Sequence, residues 1–287
     1  MTNTICFHHN DPDGHASGAI VRHALHKDVL LIESDYDATA IPWEKVEQAD
    51  RVIVVDFSFP KEDMLRLADG REFIWIDHHK SAMLEFAEIG KEWDGIRDLS
   101  EAACVLTWKY FFPDKPVPHA VVLIGDRDIW RWAEADTGAF NESIYNRDHH
   151  AENDVLWEPL FEDDQPTLNQ MIEEGQWLRK INLANINRLM EGRSFEVQFE
   201  RHNTLAVNAV GTGDIGNYGR DRGYEIVYCY RDEMQLDGLS TVVTLFSDKM
   251  DVSVIAKKYG GGGHAGAAGF SFPRGKTPFP PDSEVNW

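Results

Sequence analysis

The chain has 287 residues, 43% of them hydrophobic, with 49 acidic side chains against 28 lysines and arginines and a formal net charge of −21. That length and apolar content suffice to bury the core of one large or two ordinary domains, while the acidity opposes attraction to long nucleic acid, whose affinity comes largely from phosphate neutralisation. There is no basic-plus-apolar leader and no apolar run of about 18 residues, so a cytoplasmic protein without a membrane partner is expected; Cys6, Cys104 and Cys229 imply no disulfide framework.

The first short apolar run, Thr4-Ile5-Cys6-Phe7-His8, leads into His9-Asn10-Asp11-Pro12-Asp13-Gly14. Such a run, bounded by turn residues, suits a strand covered on both faces, and Gly14 to Lys27 reads as the helix after it. Helical pieces follow over Trp43 to Asp50 and Lys61 to Ala68, and between them Arg51-Val52-Ile53-Val54-Val55 runs into Asp56. Glu72-Phe73-Ile74-Trp75-Ile76 then closes on Asp77-His78-His79-Lys80. Strands alternating with helices predict a parallel sheet, in which ligands collect beyond the carboxyl ends of the strands. Asp and Asn are ordinary turn formers and helix caps, but that reading leaves unexplained why three acid or imidazole clusters fall at equivalent points of successive strand units. Carboxylates with imidazoles and no thiolate favour Mn²⁺, Mg²⁺ or Fe, and the surplus of acids suits two ions sharing a bridging carboxylate.

Farther along, Ser100 to Phe112 reads as a helix capped by Asp98 or Ser100. The run His119 to Ile124, strand or helix, leads into Gly125-Asp126-Arg127-Asp128, and Trp130 and Trp132 read as packing residues ahead of a platform for stacking a base. Leu156 to Glu191 spaces its apolar residues as a long connecting helix that Gly192 would stop. Phe195 to Phe199, Thr204 to Val210, Tyr224 to Tyr230 and Ser240 to Phe246 are strand-like and predict a smaller mixed sheet. Gly211 to Gly219 reads as a loop and the tail from Pro273 to Trp287 as irregular. Gly260 to Gly263, followed by a small-residue helix start, reads as a phosphate or carboxylate cradle, because glycine lets backbone N–H groups approach an anion closely.

His9-x-Asp11-x-Asp13-Gly14, Asp56 and Asp77-His78-His79 resemble the first three motifs of the DHH phosphoesterase superfamily, named after that last triplet. Gly260-Gly261-Gly262-Gly263-His264 with Ala267-Ala268-Gly269 resembles the signature of the DHHA1 type of C-terminal domain. The resemblance implies an α/β fold: a parallel-sheet DHH domain with flanking helices over 1–155, a helical linker over 156–192, and a smaller mixed α/β DHHA1-like domain over 193–287. It implies two divalent cations, Mn²⁺ ahead of Mg²⁺, held by His9, Asp11, Asp13, Asp56, His78 and a fourth-motif acid. Asp126, which follows the apolar run directly, is chosen for that acid, with Asp128 in reserve. Asp77 is assigned to orient its neighbours in catalysis and His79 to touch phosphate, with Arg127, Gly261, Gly262, Gly263 and His264 as further substrate contacts.

The activity so implied is hydrolysis of phosphodiester bonds in short oligonucleotides or dinucleotides, including 3′–5′ exonuclease action, with substrate held between the two domains. Alternatives are a phosphomonoesterase or a pyrophosphate or polyphosphate hydrolase, and a non-catalytic nucleotide-binding regulator. NanoRNase-like members carry an Arg-Ser pair shortly before the Gly-Gly-Gly-His motif, and Phe246-Ser247-Asp248-Lys249 lacks that Arg. The expected partner is a small anionic nucleotide rather than a long strand, and the oligomer that related enzymes suggest is a homodimer.

Overall fold

Three short, continuously apolar runs, buried on both faces, shape the first sheet. In the computed structural model, which describes residues 3–35, 40–87, 90–235 and 238–286, β1 (Thr4–His9), β2 (Leu30–Ser34), β3 (Arg51–Val55) and β4 (Glu72–Ile76) are all parallel, in the order β2-β1-β3-β4. They are followed in turn by α1 (Pro12–Ala24), α2 (Trp43–Val46), α3 (Lys61–Leu67) and α4 (Lys80–Ala87). Four more helices complete the layer, α5 (Ala103–Phe111), α6 (His119–Asp128), α7 (Thr137–Tyr145) and α8 (Asp154–Phe161). Cys6, Ile53, Val55, Ile74 and Ile76 enter one buried cluster with residues of α1 and α5 to α8. Their neighbours Ile5, Phe7, Val52, Val54, Phe73 and Trp75 enter a second with residues of α2, α3 and α4. The undecided run at His119 is thus helical: it packs Ala120, Val121, Leu123 and Ile124 into the first cluster.

The chain divides into two compact units, Met1–Arg179 and Lys180–Trp287, and α9 (Gln165–Arg193) runs across the division. The linker expected from residue 156 begins later, because Leu156, Trp157, Leu160 and Phe161 of α8 are buried in the first unit's core. Nor does Gly192 stop the helix: α9 continues to Arg193, and the Ser194 hydroxyl donates to the Met190 carbonyl at 2.7 Å, satisfying one of the carbonyls a helix end leaves over.

The second unit is a seven-stranded mixed sheet made of β5 (Ser194–Phe199), β6 (His202–Asn208), β7 (Ile226–Gln235), β8 (Gly238–Phe246), β9 (Gly262–Gly263), β10 (Ala267–Pro273) and β11 (Val285–Asn286), in the order β11-β5-β6-β7-β8-β10-β9. Only β6 and β7 pair in parallel. The segment read as a loop holds α10 (Gly213–Arg220), capped by the Thr212 hydroxyl and packed through Gly216 on Phe246 and Gly219 on Val227. On the other side, α11 (Val252–Lys258) buries Val252, Ile255 and Ala256 with Tyr228 and Phe270. After the glycine run the chain makes a hairpin into β10, not a helix start, and the tail returns through β11; Trp287 lies outside the described residues. No helix among the described residues is long and apolar enough to cross a membrane.

Ile53, fully buried in β3, tests how far the first unit rests on this sheet. Ile53→Ala is expected to cost about 2–5 kcal/mol in urea unfolding, and a loss below 1 kcal/mol would show that the core around it is not close-packed.

Candidate metal centre

From β1 the chain moves outward to β2 and then returns to the opposite side of β1 for β3, so a crevice opens past the carboxyl ends of these two strands. His9 ends β1, while Asp56 and Asp77 directly follow β3 and β4. Asp11 caps α1 by accepting from Gly14 N at 2.9 Å. Glycine is needed there, since a Cβ at Gly14 would stand 2.4 Å from the His9 carbonyl oxygen. Asp13, buried in the first turn of α1, accepts from Ala103 N at 2.9 Å and Cys104 N at 2.8 Å. The expected cap of α5 is thereby corrected. Asp98 turns back to Ser100 N, and the donors at the start of α5 go to Asp13, where a negative charge also meets the positive end of the helix.

Asp77 braces the next turn. Its Oδ1 accepts from His78 N at 2.8 Å, His79 N at 3.1 Å and His79 Nδ1 at 2.7 Å. His78 Nε2 stands 3.2 Å from Asp56 Oδ1, 3.4 Å from Asp128 Oδ2 and 3.7 Å from Asp13 Oδ2. His9 Nδ1 lies 3.1 Å from Asp11 Oδ2 and 3.7 Å from Asp56 Oδ2. Three triads, His9-Asp11-Asp56, Asp13-His78-Asp128 and Asp56-His78-His79, each offer ligand atoms within 4.8 Å of one another.

Asp56 stands at the middle of this arrangement, 1% exposed, in the left-handed region at φ 54°, which Asp tolerates better than most residues. Among the described residues, neither of its carboxylate oxygens has a hydrogen-bond partner. Burial first, and then the charges of Asp13, Asp11, Asp128 and Asp77, push its carboxyl well above the usual carboxylate range. Asp128 is pushed up in the same way, by burial and then by Asp13 and Asp11. An orphaned buried carboxylate whose two oxygens face different imidazoles fits a bridging ligand between two cations, and bound cations invert the local electrostatics.

Asp126 is not brought into this cluster. Its carboxylate accepts from Ala133 N at 2.9 Å, Glu134 N at 3.1 Å and the Thr137 hydroxyl, locking the turn after α6. Asp128, the reserve, takes the place beside His78. The reason is helical: two residues apart on a helix, side chains point about 200° apart, so Asp126 and Asp128 cannot face the same ligand. A helical reading of the run would have revealed this. Arg127 donates to the Tyr145 hydroxyl at 2.7 Å and stacks on its ring, while Trp130 and Trp132 pack edge to face in that turn. In the second unit, exposed His264 sits at the tip of the β9–β10 hairpin, its N–H donating to Ala267 O at 2.8 Å. Gly261 and Gly263 are demanded by the hairpin itself: added Cβ atoms would lie 2.0 Å from Gly269 O and 2.7 Å from Ala268 Cα.

No family model matches the chain. An uncharacterized protein of Acanthamoeba polyphaga mimivirus is 30% identical over 246 residues, 79% of this chain, and the chain spans 55% of that relative's length. Oligoribonuclease NrnB of Bacillus subtilis is 22% identical over 92% of this chain and 72% of its own. Among solved structures, the DHH domain of a member of the s1p family of ribosomal proteins matches with a TM-score of 0.57 at 14% identity, over 93% of this chain and 82% of that one. PggH, a pGpG-specific phosphodiesterase of Vibrio cholerae, matches with a TM-score of 0.53 at 12% identity, over 94% and 93%.

Asp128→Asn is expected to weaken Mn²⁺ binding at least about tenfold by titration calorimetry. Asp126→Asn should leave it near wild type and instead cost about 1–3 kcal/mol of stability; the opposite pattern would return the ligand role to Asp126. Because the folded chain holds the Asp56 proton more tightly than the unfolded chain, whose reference value is 3.8, the metal-free fold should lose stability as pH rises above that value. Asp56→Asn should flatten this fall in melting temperature measured in EDTA, and an unchanged slope would remove Asp56 as its source.

Proposed function

We propose that this chain, whose fold is that of the DHH-domain proteins, is a metal-dependent phosphoesterase that hydrolyses phosphodiester bonds of dinucleotides or short oligonucleotides. The observation that carries the reading is Asp56, buried without a hydrogen-bond donor and set between His9 and His78. Two divalent cations would be held by His9, Asp11, Asp13, Asp56, His78 and Asp128, with Mn²⁺ ahead of Mg²⁺ because imidazoles share the site with carboxylates. What such ions supply is charge neutralisation at phosphorus and a lowered proton affinity of water.

The chain's own residues orient and bind. Asp77 holds the turn that presents His78 and His79, and with Nδ1 engaged by Asp77, His79 would reach a phosphate oxygen through Nε2. Burial works against a charged ring, but the hydrogen bond and charge of Asp77 outweigh it and raise His79 above its ordinary value, which favours an anionic substrate. Absence of a covalent route is consistent with the residue types, since the three cysteines are buried and no serine nucleophile motif occurs. His264, with Gly261, Gly262 and Gly263, is read as a phosphate contact of the second unit. The charge of −21 favours a short substrate over a long strand, and NrnB and PggH are named for acting on oligoribonucleotides and on pGpG.

Incubation with 5′-phosphorylated diadenylate and diguanylate in Mn²⁺, with an EDTA control, tests the reading. Mononucleotide release that EDTA abolishes and Asp56→Asn lowers at least about 100-fold is the expected result. Turnover indifferent to either would sink the two-metal route, and intact dinucleotides would turn attention to phosphomonoesters. His264→Ala should raise KM about tenfold with little change in kcat; an unchanged KM would remove the anion contact.

A further inference from the structure

A second cluster of groups that could hold a metal lies in the first unit, sharing no residue with the aspartate cluster, and nothing in the proposed hydrolysis uses it. His15 on α1, Glu33 on β2 and His150 in the segment between α7 and α8 offer ligand atoms within 4.8 Å of one another. His15 Nε2 stands 3.0 Å and His150 Nδ1 3.3 Å from the same oxygen, Glu33 Oε2. Ligands at zinc distances of about 2.0–2.1 Å in a tetrahedron stand roughly 3.3 Å apart, so these spacings need little adjustment to admit an ion. We propose that His15, Glu33 and His150 form a separate site for a transition-metal ion of the zinc class, with solvent at the remaining position.

Several observations support this assignment. The donor set is two imidazoles and one carboxylate, softer than the carboxylate-rich centre at Asp56, so the two sites would sort different metals. The His15 side chain is 4% exposed, and its Nδ1 is buried without a hydrogen-bond partner, which leaves Nε2 as the nitrogen that faces other ligands. Glu33 and His150 are exposed, so an ion can enter from solvent. The backbone carrying each donor is also anchored: His15 by the first turns of α1, Glu33 by register with His8 in the sheet, and His150 by its carbonyl, which accepts from Trp157 Nε1 at 3.0 Å and Asn153 N at 2.9 Å. His149 packs its ring 5.0 Å from that of His15 and closes one side. An ion here would tie β2 and the segment before α8 to the helix that carries Asp13, acting as a structural clamp on the site's scaffold.

Co²⁺ can report the site independently of hydrolysis, through metal content after equilibrium dialysis and the visible absorption of tetrahedral Co²⁺. With Mn²⁺ present in excess to occupy the carboxylate-rich centre, the wild-type chain is expected to retain one Co²⁺ with a tetrahedral spectrum. His150→Ala and Glu33→Gln, both at exposed positions, should lose that equivalent while keeping the wild-type circular dichroism and melting temperature in EDTA. Asp56→Asn should keep it. Equal Co²⁺ content and spectrum in wild type and His150→Ala would overturn the assignment, as would loss of the signal in Asp56→Asn. Since none of these readouts is turnover, failure of the phosphoesterase reading would leave the result intact.

Discussion

Carboxylates crowded out of water are the constraint on which the rest of this structure depends. Asp13, Asp56 and Asp128 converge on His78, with Asp11 close to His9. Two like charges 4 Å apart repel by about 4 kcal/mol even at an effective dielectric of 20, so such a group stays charged only where hydrogen-bond donors or cations offset it. Asp13 is compensated by the N–H groups at the start of α5, and Asp77 by three donors from its own turn. Asp56 has no such donors. The fold therefore ties Asp13 and Asp77 to backbone donors and, among the described residues, leaves the Asp56 oxygens without one.

Rigidity comes from where these groups are mounted. Three of them leave the ends of paired parallel strands whose alternate residues fill two cores, one on each face. A strand embedded in this way cannot slip by a residue without exchanging the side chains that fill its two cores, so the strand ends keep their register and the side chains beyond them keep their spacing. The turn after α6 is fixed differently. There Asp126 collects backbone donors from Ala133 and Glu134, and its own carbonyl accepts from Arg131 N and Trp132 N while Trp130 and Trp132 take positive φ. That knot holds the end of the helix from which Asp128 projects.

Much of the site was legible residue by residue. The continuous apolar runs of β1, β3 and β4 and the acids and imidazoles that close them are local patterns, and they predict that His9, Asp11, Asp13, Asp56, Asp77, His78 and His79 gather past the strand ends. The choice between Asp126 and Asp128 was not legible, because six apolar residues do not reveal whether they repeat with the period of a strand or a helix. The cap of α5 was hidden for another reason: its acceptor, Asp13, lies 90 residues away in the chain. At the glycine run near His264, what consecutive residues do not reveal is that Gly261 and Gly263 are also demanded by close approach to a neighbouring strand.

By itself, the sequence determined the parallel α/β character of the first unit, the acidic surface and the donor types gathered at three strand ends, because periodicity and composition are written in consecutive residues. Only the tertiary structure decided which acid lies beside His78, which acids serve as caps, and that His15, Glu33 and His150 meet at all. Those outcomes turn on directions and on distances between residues remote in the chain, and packing alone sets both.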